Sequence, residues 1–565
     1  MPIRARRVAR IGLRWLAWVL VGVVVSLPLA AERAVEHARI DDRLGTLPVQ
    51  VRLAHNGYTT LDTGILGKLY WQRTGALGFG ASLRSTGPPI AGGTLASYVS
   101  PKFVSANARF LESPDRLAAT YGAEMRRQVV VTGVWYAVIG GLLVGTVLFA
   151  GASAGAARRR SRRVRWIAGT AVVVIAAGCS TTAAVIEFRH WDGSQVAERS
   201  YPMPTRPELS FSSPQTREIA EQVRPFIEKN TTRIRERNSR YEETSATSVR
   251  EQLADHLSSL APREGEEIVI AEADPQGSEV GTDVRRDLYA ALADALDAAG
   301  ADPDSVVLRT IAGDISSNGT VAEKDFVHDE VAASSDIPVV AAKGDHDTDV
   351  TVDQLLDAGA TVPDTEVVDA AGLRIASARD PAFKALFGGL VVNDSGTTEE
   401  ETGAALREVV DDEDAGSVVV VLHQPRAVDG YLEGELEAAK LAGDSLTTPV
   451  DDGVPDLPPG IITYGHLHDP AGPWVIWNTD GDEVTWTVVT QLGTAGGVEE
   501  NPTFNRFSTP FSTPLKALSV QLQYVNVESG LQTGYLPISF ATDGTATVGP
   551  RTEVGLPGGM PGPAR

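Results

Sequence analysis

Three long apolar runs in the first third of the sequence restrict what this chain can fold into more than any other feature. They extend over residues 15–31, 129–152 and 166–186. Their lengths are near the roughly 20 residues with which an α-helix crosses the hydrocarbon core of a bilayer. We therefore predict three transmembrane helices, within residues 1–31, 129–152 and 166–188, and a location in the cell membrane.

The first apolar run has a second interpretation, a cleaved signal peptide that ends near residues 29–31. No clean Ala-x-Ala cleavage site stands there, so we favour the retained helix. Both interpretations place the segment that follows outside the cytoplasm.

Arginines predict the orientation of these helices. Residues 158–165 are arginine-rich and lie between the second and third apolar runs, and residues 1–14 are basic as well. The positive-inside rule places both stretches in the cytoplasm. We therefore expect residues 32–128, and the chain from 189 onward, outside the cytoplasm, although Arg126 and Arg127 oppose this orientation.

Composition narrows the function classes. The chain has 565 residues, a formal net charge of −23 and one cysteine, Cys179. The length indicates two or three folded units. The acidic balance argues against nucleic-acid binding, because phosphate contacts need clustered Lys and Arg. A single cysteine forms no disulfide within the chain, so stability must come from a hydrophobic core, with bound metal as a further source.

The segments between and after the apolar runs differ in pattern. Residues 32–128 predict a β-rich unit, with a hairpin around Asn56-Gly57. We expect 153–165 to be a cytoplasmic Arg-rich loop and 549–565, rich in Gly and Pro, to be a disordered tail. The segment 189–265 predicts a helical stalk, since residues 216–229 and 247–260 carry apolar residues at helical spacing.

From residue 268 the pattern changes to strand, helix, strand. Residues 283–299 predict an amphipathic helix. Early alternation of strands and helices, followed by consecutive strands, predicts an α/β (α+β) domain at 266–548 with mixed sheets flanked by helices. The predicted strands are 268–271, 306–312, 337–342, 417–422, 460–464, 474–477, 484–489 and 515–527.

Five short clusters of metal-binding side chains follow apolar runs in this domain. A carboxylate or imidazole just after a buried strand suits a metal site at the edge of a sheet, because the strand holds the backbone while the loop turns the ligand outward. The clusters are Asp274-Pro-Gln276, Gly313-Asp314, Gly344-Asp345-His346-Asp347, His423 and Gly465-His466-Leu467-His468.

In this order the clusters resemble the calcineurin-like metallophosphoesterase family, whose pattern is Asp-x-His, Gly-Asp, Gly-Asn-His-Asp/Glu, a lone His and Gly-His-x-His. The resemblance covers about residues 266–500 and implies a four-layer αββα sandwich. Gly493-Thr-Ala-Gly-Gly497 is similar to the Gly-rich strand end that follows the last motif.

The resemblance also implies a ligand set for two divalent ions. Asp314 would bridge the two ions, and Asp274 and His468 would hold the first ion. The second ion would be held by three further ligands. His346 would lie just outside and stabilise the transition state or protonate the leaving oxygen. The ligands of the second ion would be Asp345, His423 and His466.

Two positions depart from the family pattern. Gln276 stands in place of a histidine, and an amide oxygen binds Zn or Fe more weakly than an imidazole does. Asp345 stands in place of an asparagine and adds a negative charge. Together they favour Mn or Mg, with Zn or Fe as alternatives. Gln276 is either a ligand or a loop residue that does not bind metal, and Glu272 and Glu279 are possible substitutes.

We interpret the chain as a membrane-anchored hydrolase of phosphomonoesters or phosphodiesters, with its catalytic domain outside the cytoplasm. Its partners would be a phosphate-ester substrate and the lipid bilayer. The rival hypothesis is a pseudoenzyme in which Gln276 marks a lost first metal, and the domain serves as a binding or scaffold module of the cell envelope. Metal content distinguishes the two.

Overall fold

The computed structural model places most of the chain in two compact units. The first comprises the described residues of Met1–Pro89 and Ser113–Phe226, and the second those of Ile227–Arg565. The structure describes residues 2–44, 47–55, 58–62, 68–72, 78–86, 114–156, 162–191, 200–204, 206–384, 391–413, 416–443, 445–451, 453–479, 481–497 and 516–563.

Long helices dominate the first unit and shorter ones the second. Among the described residues, three helices are long and apolar enough to cross a membrane, over Arg10–His37, Ala119–Ser153 and Ile167–His190. The helices are α1 Pro2–His37, α2 Pro114–Ala156, α3 Arg162–His190, α4 Pro214–Asp255, α5 Leu257–Leu260, α6 Glu279–Ala298, α7 Lys324–Ala332, α8 Asp349–Asp357, α9 Glu399–Asp412, α10 Pro425–Tyr431 and α11 Leu436–Ala442.

The first two helices pack closely along small residues. Gly22 of α1 lies against Gly145 of α2, and a methyl group on either would collide with the facing backbone. The Trp15 indole N–H donates to the Thr146 hydroxyl at 3.1 Å. Small residues of this kind let helices approach in lipid, where packing and hydrogen bonds drive association. Half of the arginine-rich stretch, residues 158–161, lies outside the described residues.

A seven-stranded sheet completes the first unit, in the order β1-β2-β5-β3-β4-β7-β6. The hairpin predicted around Asn56-Gly57 is wrong, because β5 lies between β2 and β3 and pairs with both. An Asn-Gly pair indicates that the chain reverses direction, but it does not determine which strands become neighbours in the sheet. That depends on packing with strands farther along the chain. The strands are β1 Arg39–Leu44, β2 Leu47–Ala54, β3 Tyr58–Asp62, β4 Lys68–Gln72, β5 Gly80–Ser85, β6 Tyr201–Met203 and β7 Arg206–Phe211.

The predicted stalk at 189–265 is only partly helical. Its first strands, β6 and β7, extend the first sheet, since β7 pairs with β4. The helix α4 then covers the predicted segment 216–229 and most of 247–260, and the short helix α5 covers the remainder of the second segment. Its later residues Tyr241, Val249 and Leu253 are buried in the core of the second unit, so that core begins before residue 266.

Two mixed sheets form the centre of the second unit. One has the order β10-β9-β8-β19-β20-β21 with β22 beside β20, and the other β11-β12-β15-β16-β18-β17 with β23 beside β18. The strands are β8 Glu266–Glu272, β9 Val306–Ile311, β10 Val339–Ala341, β11 Glu366–Ala370, β12 Leu373–Ser377, β13 Phe383–Lys384, β14 Val391–Val392, β15 Val418–Leu422, β16 Gly460–Tyr464, β17 Ala471–Asn478, β18 Glu483–Gln491, β19 Leu518–Asn526, β20 Gln532–Phe540, β21 Ala546–Val548, β22 Thr552–Glu553 and β23 Gly562–Pro563.

Side-chain alternation shows that the sheets stack as inner layers between helices. In β8, Ile268 and Ile270 pack towards α6, whereas Val269 packs with Val419 and Val421 of the other sheet. In β15 the intervening valines pack towards α9 and α10. Strands that are buried on both faces have nearly continuous apolar sequences, as these strands do. The predicted α+β architecture of mixed sheets covered by helices is thus confirmed, as an αββα sandwich.

The carboxyl-terminal segment corrects one prediction. Residues 549–565 are expected to be disordered, yet β22 pairs with β20 and β23 pairs with β18 within the described part. Val554 is only 1% exposed and joins a cluster around Trp477 and Trp486. Glycine and proline disfavour long regular elements, but they do not prevent a tail from forming short strands and covering apolar side chains.

Candidate metal centre

The clusters of metal-binding side chains meet where parallel strands end. Asp274, Asp314 and Asp345 follow β8, β9 and β10, which are mutually parallel. His423 and His466 follow β15 and β16, which are parallel in the facing sheet. The carboxyl ends of parallel strands are the usual place for ligand sites, since the loops there converge.

One group of side chains surrounds a common point. Single ligand atoms of Asp314, Asp345, His423 and His466 all lie within 4.8 Å of one another. His423 Nε2 is 3.2 Å from Asp314 Oδ1 and 3.5 Å from Asp345 Oδ1. His466 Nδ1 lies 3.3 Å from the same His423 nitrogen. Two imidazoles and two carboxylates that converge in this way could hold a divalent cation.

A second group shares Asp314. Ligand atoms of Asp274, Asp314 and His468 also lie within 4.8 Å of one another. His468 Nε2 is 3.7 Å from Asp274 Oδ1. Because Asp314 belongs to both groups, one carboxylate stands between two potential cation positions, which is the role that two-metal sites need.

Hydrogen bonds outside the clusters orient the ligands. The Nδ1 atom of His423 is 2.9 Å from the Ala312 carbonyl oxygen. A proton on Nδ1 can be donated there, which leaves Nε2, on the side of the carboxylates, to bind a cation. The His466 backbone N–H donates to Asp274 Oδ2 at 3.0 Å, and the Gln424 amide donates to Asp345 Oδ2 at 3.3 Å.

Gln276 enters the site but does not present its oxygen to the ligand clusters. Its Nε2 donates to Asp314 Oδ2 at 3.2 Å. The side chain is 2% exposed, and its Oε1 accepts no hydrogen bond from any described residue. A half rotation of the amide would exchange the two atoms and bring the oxygen next to Asp314, which is favourable only with a cation between them.

His346 lies beside both groups. It is fully buried, with Nε2 at 3.8 Å from Asp314 Oδ2 and 3.9 Å from Asp345 Oδ1. Neither ring nitrogen has a hydrogen-bond partner among the described residues. Its backbone N–H donates to Asp314 Oδ1 at 2.8 Å, which holds it against the shared carboxylate.

The backbone of the site is strained at the ligands. Non-glycine residues with a left-handed backbone carry a steric cost of about 1–3 kcal/mol each, and they concentrate at functional sites. Gly344 has no room for a side chain, because a methyl group there would collide with the Asp314 backbone. The strained residues include Asp274 (φ 54°), Gln276 (φ 44°), Asp314 (φ 55°), His466 (φ 72°) and His468 (φ 57°).

Burial and the charges of neighbouring residues shift the pKa values of the candidate ligands strongly. Burial, with the Asp314 charge as a further cause, raises the pKa of Asp274 despite the opposing charge of His423. Burial also opposes ionisation of Asp314, but the charges of His423 and His346 outweigh it and hold its pKa well below the usual range. Burial acts to lower the pKa of His423, yet the Asp314 carboxylate outweighs it and the pKa is raised.

The pKa of His466 is shifted in the opposite direction to that of His423. Burial and the charge of His423 lower its pKa to about 4. The ring is therefore neutral at physiological pH and has a lone pair available. Its side chain is 20% exposed, whereas the other ligands are almost fully buried, so His466 marks the opening of the site.

The donor set fits divalent cations. Three buried carboxylates repel one another in a medium of low dielectric constant, and cations between them would relieve that repulsion. Asp345 Oδ1 and both nitrogens of His346 accept or donate no hydrogen bond within the described structure. Buried polar atoms of this kind are rare unless an ion or water satisfies them.

The sequence analysis assigns no role to three supporting residues. Asp347 joins two ligand loops, since its carboxylate accepts the N–H groups of Ile315, Ser316 and Gly344 at 3.1, 2.8 and 2.9 Å. Glu323 accepts the Ser317 N–H at 2.7 Å. Thr494 donates its hydroxyl to the Asp274 carbonyl oxygen at 2.9 Å. Asp347 closes the Gly344–Asp347 motif, which is the signal that could have identified it.

Glu272 is not a substitute ligand, contrary to the alternative considered from sequence. Its carboxylate accepts from Arg285 at 2.7 Å and from Arg309 at 2.9 Å, and it also binds the Tyr289 hydroxyl. Side chains alternate along β8, so Glu272 points towards the helices with Ile270 rather than into the site. Glu279 is exposed in the first turn of α6 and belongs to neither ligand group.

Comparison with known proteins adds little. No family model and no curated protein matches this chain. Among solved structures, one similar chain is the NAD nucleotidase of Haemophilus influenzae, with 12% identity and a TM-score of 0.25. The match covers 51% of this chain and 50% of that chain, so this chain spans about half of its length. At this similarity nothing is transferred from that enzyme.

Proposed function

We propose that this chain is a membrane-anchored, metal-dependent phosphoesterase. The observation that carries the proposal is the placement of Asp314 in two adjacent groups of side chains that could hold a metal ion, all of them buried except His466, at the carboxyl ends of parallel strands. Asp274 and His468 would complete the first cation site, and the second would use Asp345, His423 and His466. Divalent cations held there would polarise a phosphate ester and activate a water for attack.

The residues of the chain would divide the remaining work. Asp314 holds the two sites together, and Asp347 keeps its loop in register with the loop of Asp345 through backbone hydrogen bonds. His346, buried beside both carboxylates, would stabilise charge in the transition state or donate a proton to the leaving oxygen. Acceptor oxygens from several carboxylates favour hard cations such as Mn or Mg.

The proposed location follows from the apolar helices and from charge. The helices α1, α2 and α3 would span the membrane, which leaves both basic stretches in the cytoplasm and the sandwich domain outside it. The close packing of α1 on α2 through Gly22 and Gly145 supports a first helix that is retained as part of the folded protein.

The test uses the full chain purified in detergent. Metal content and hydrolysis of p-nitrophenyl phosphate and bis(p-nitrophenyl) phosphate are measured after chelation and again after addition of Mn. We expect two ions per chain and hydrolysis that depends on them. Two bound ions without hydrolysis of any phosphate ester in a broad screen would refute the enzymatic proposal.

A pseudoenzyme is the second candidate, and the identity of residue 276 favours it. Gln276 stands where the family pattern has a histidine, and an amide oxygen binds Zn or Fe more weakly than an imidazole does. A domain that kept only the second cation site would act as a binding or scaffold module in the envelope. It would retain one ion or none and would hydrolyse no phosphate ester. The measurements of metal content and hydrolysis described above test both expectations.

A further inference from the structure

The third apolar helix ends in a group of packed rings from two distant parts of the first unit. Phe188 lies in the last turn of α3 and Trp191 directly follows that helix, with ring centroids 5.8 Å apart. The Phe79 ring lies 6.3 Å from Phe188 and 6.5 Å from Trp191. The His55 ring is 5.0 Å from Phe79 and 5.5 Å from Phe188. We call these four residues the aromatic group.

The aromatic group joins one end of the first sheet to the end of α3. His55 directly follows β2 and Phe79 directly precedes β5. These two strand ends are neighbours, because Ala54 pairs with Gly80. The end of β2 and the start of β5 therefore lie where α3 leaves its apolar stretch.

The neighbouring strands have the same end beside the helices. β1 begins at Arg39, two residues after α1 ends at His37, and Arg39 pairs with Arg52 near the end of β2. β3 is parallel to β5 and starts at the same end of the sheet. Farther along β1, Asp42 accepts a hydrogen bond at 2.5 Å from Tyr121, which precedes the apolar run of α2. The strands thus begin or end at the helix ends and extend away from the apolar runs.

Charged residues mark where the apolar part of the helices ends. Arg33 of α1 pairs with Glu36 at 2.7 Å and with Glu187 of α3 at 3.8 Å. Charged side chains are costly inside the hydrocarbon core, so its boundary lies no farther out than these ion pairs. Phe188 directly follows Glu187, and Trp191 stands four residues beyond it, about 6 Å at the helical rise. The headgroup region of one leaflet is roughly 5–8 Å thick, which is the layer that these rings would occupy.

We propose that the aromatic group contacts the lipid headgroup layer and seats the first sheet on the membrane surface. The proposal rests on the membrane-spanning helices proposed above, but it holds for either orientation of the chain. All four side chains are half-buried, so part of each ring is accessible to lipid. Rings that combine an apolar body with a polar N–H group, as in Trp191 and His55, are favoured where a bilayer meets water.

The experiment measures the depth of single nitroxide labels in the full chain, reconstituted in vesicles of phosphatidylcholine and phosphatidylglycerol. Cys179 is the sole cysteine of the sequence, so a Cys179→Ser background accepts one label at a chosen position. The test positions are Phe79→Cys and His55→Cys. Val174→Cys, at a site 63% exposed on α3, is the control for the hydrocarbon core. Arg84→Cys, about 17 Å along β5 from Phe79, is the control for water.

Collisions of each label with oxygen, which concentrates in the hydrocarbon core, are compared with collisions with a nickel chelate, which stays in water. We expect the ratio of oxygen to nickel collisions at Phe79→Cys and His55→Cys to be several-fold higher than at Arg84→Cys and lower than at Val174→Cys. A ratio at both test positions equal to that of Arg84→Cys would place the aromatic group in water and overturn the proposal.

Two further outcomes would also refute it, for different reasons. Labels at Phe79→Cys and His55→Cys that are shielded from both reagents would show that protein, rather than lipid, covers the aromatic group. A ratio at Val174→Cys as low as that at Arg84→Cys would show that α3 does not span the bilayer. In that case the membrane location on which the proposal rests would fail as well.

Discussion

Gln276 donates its side-chain amide to Asp314, the carboxylate common to both ligand groups, at 3.2 Å. The position that would complete the first cation site is thus filled by a hydrogen-bond donor. The orphaned oxygen of the same amide lies within the buried site. In the proposed centre this arrangement would make the first cation site the weaker of the two, since an imidazole there would offer a lone pair that the amide nitrogen lacks.

Replacement of Gln276 by histidine should strengthen the first site. We expect Gln276→His to hold the first metal roughly tenfold more tightly, comparable to the effects of ligand-shell changes elsewhere. Activity would then persist at lower free Mn, and if the wild type lacks the first metal, the variant should gain activity. A Mn titration of hydrolysis in both proteins measures this. An unchanged midpoint would show that position 276 does not face the metal.

Asp314→Asn tests the shared carboxylate. A neutral amide cannot hold two cations together, so we expect hydrolysis to be abolished and bound metal to fall. The loss of activity should exceed the roughly 10–100-fold loss that follows removal of a residue that only hydrogen-bonds to a metal ligand. Asp369→Asn, on the exposed side of β11, serves as the control. Wild-type activity in Asp314→Asn would remove this residue from the site.

Removal of one member of a buried group of four charged residues behind the site should destabilise the domain strongly. Glu272, Arg285, Arg309 and Glu330 are each at most 1% exposed, and Arg285 Nη2 donates to Glu330 Oε2 at 2.7 Å. Glu330→Gln leaves two buried guanidinium groups with one carboxylate. We expect a loss of about 3–5 kcal/mol in the free energy of unfolding, seen as a drop of roughly 10 °C in Tm. Asp329→Asn, its exposed neighbour on α7, should change Tm little.

The same group predicts a pH dependence. Burial acts to raise the pKa of Glu330, but the charges of Arg285 and Arg309 outweigh it and lower the value to about 2. The ionised form is therefore favoured by folding. Its contribution is fully present above the ordinary value of 4.5 and is lost as the pH falls towards 2. Unfolding curves at several pH values should show the difference between wild type and Glu330→Gln shrinking over that interval.

Reporter fusions test the orientation in the membrane. A fusion after residue 160 should report the cytoplasm and a fusion after residue 195 the outside, because an arginine-rich stretch separates the second and third apolar runs. A fusion after residue 100 should also report the outside. Reversed signals would place the sandwich domain in the cytoplasm and refute the proposed location.

The sequence predicted element types well wherever burial was uniform. The run at 418–422 is apolar throughout because both faces of β15 are covered, and the structure has a strand over those residues. The apolar helices were equally evident, since only long runs without charge can cross a bilayer. The clusters from Asp274 to His468 were evident as candidates, because side chains that can bind metal recur directly after several buried strands.

Only the tertiary structure decided which of these side chains face one another. Glu272 stands two residues before Asp274, yet it binds arginines on the helix-covered side of its sheet, because it still belongs to β8 and points the same way as Ile270. Asp274 lies beyond the end of the strand, where its left-handed backbone turns the side chain into the site. In the same way, β5 separates β2 from β3, and the Gly- and Pro-rich tail pairs with β18 and β20. Local pattern determines whether a residue is buried in a strand. The pairing of distant strands determines what it meets there.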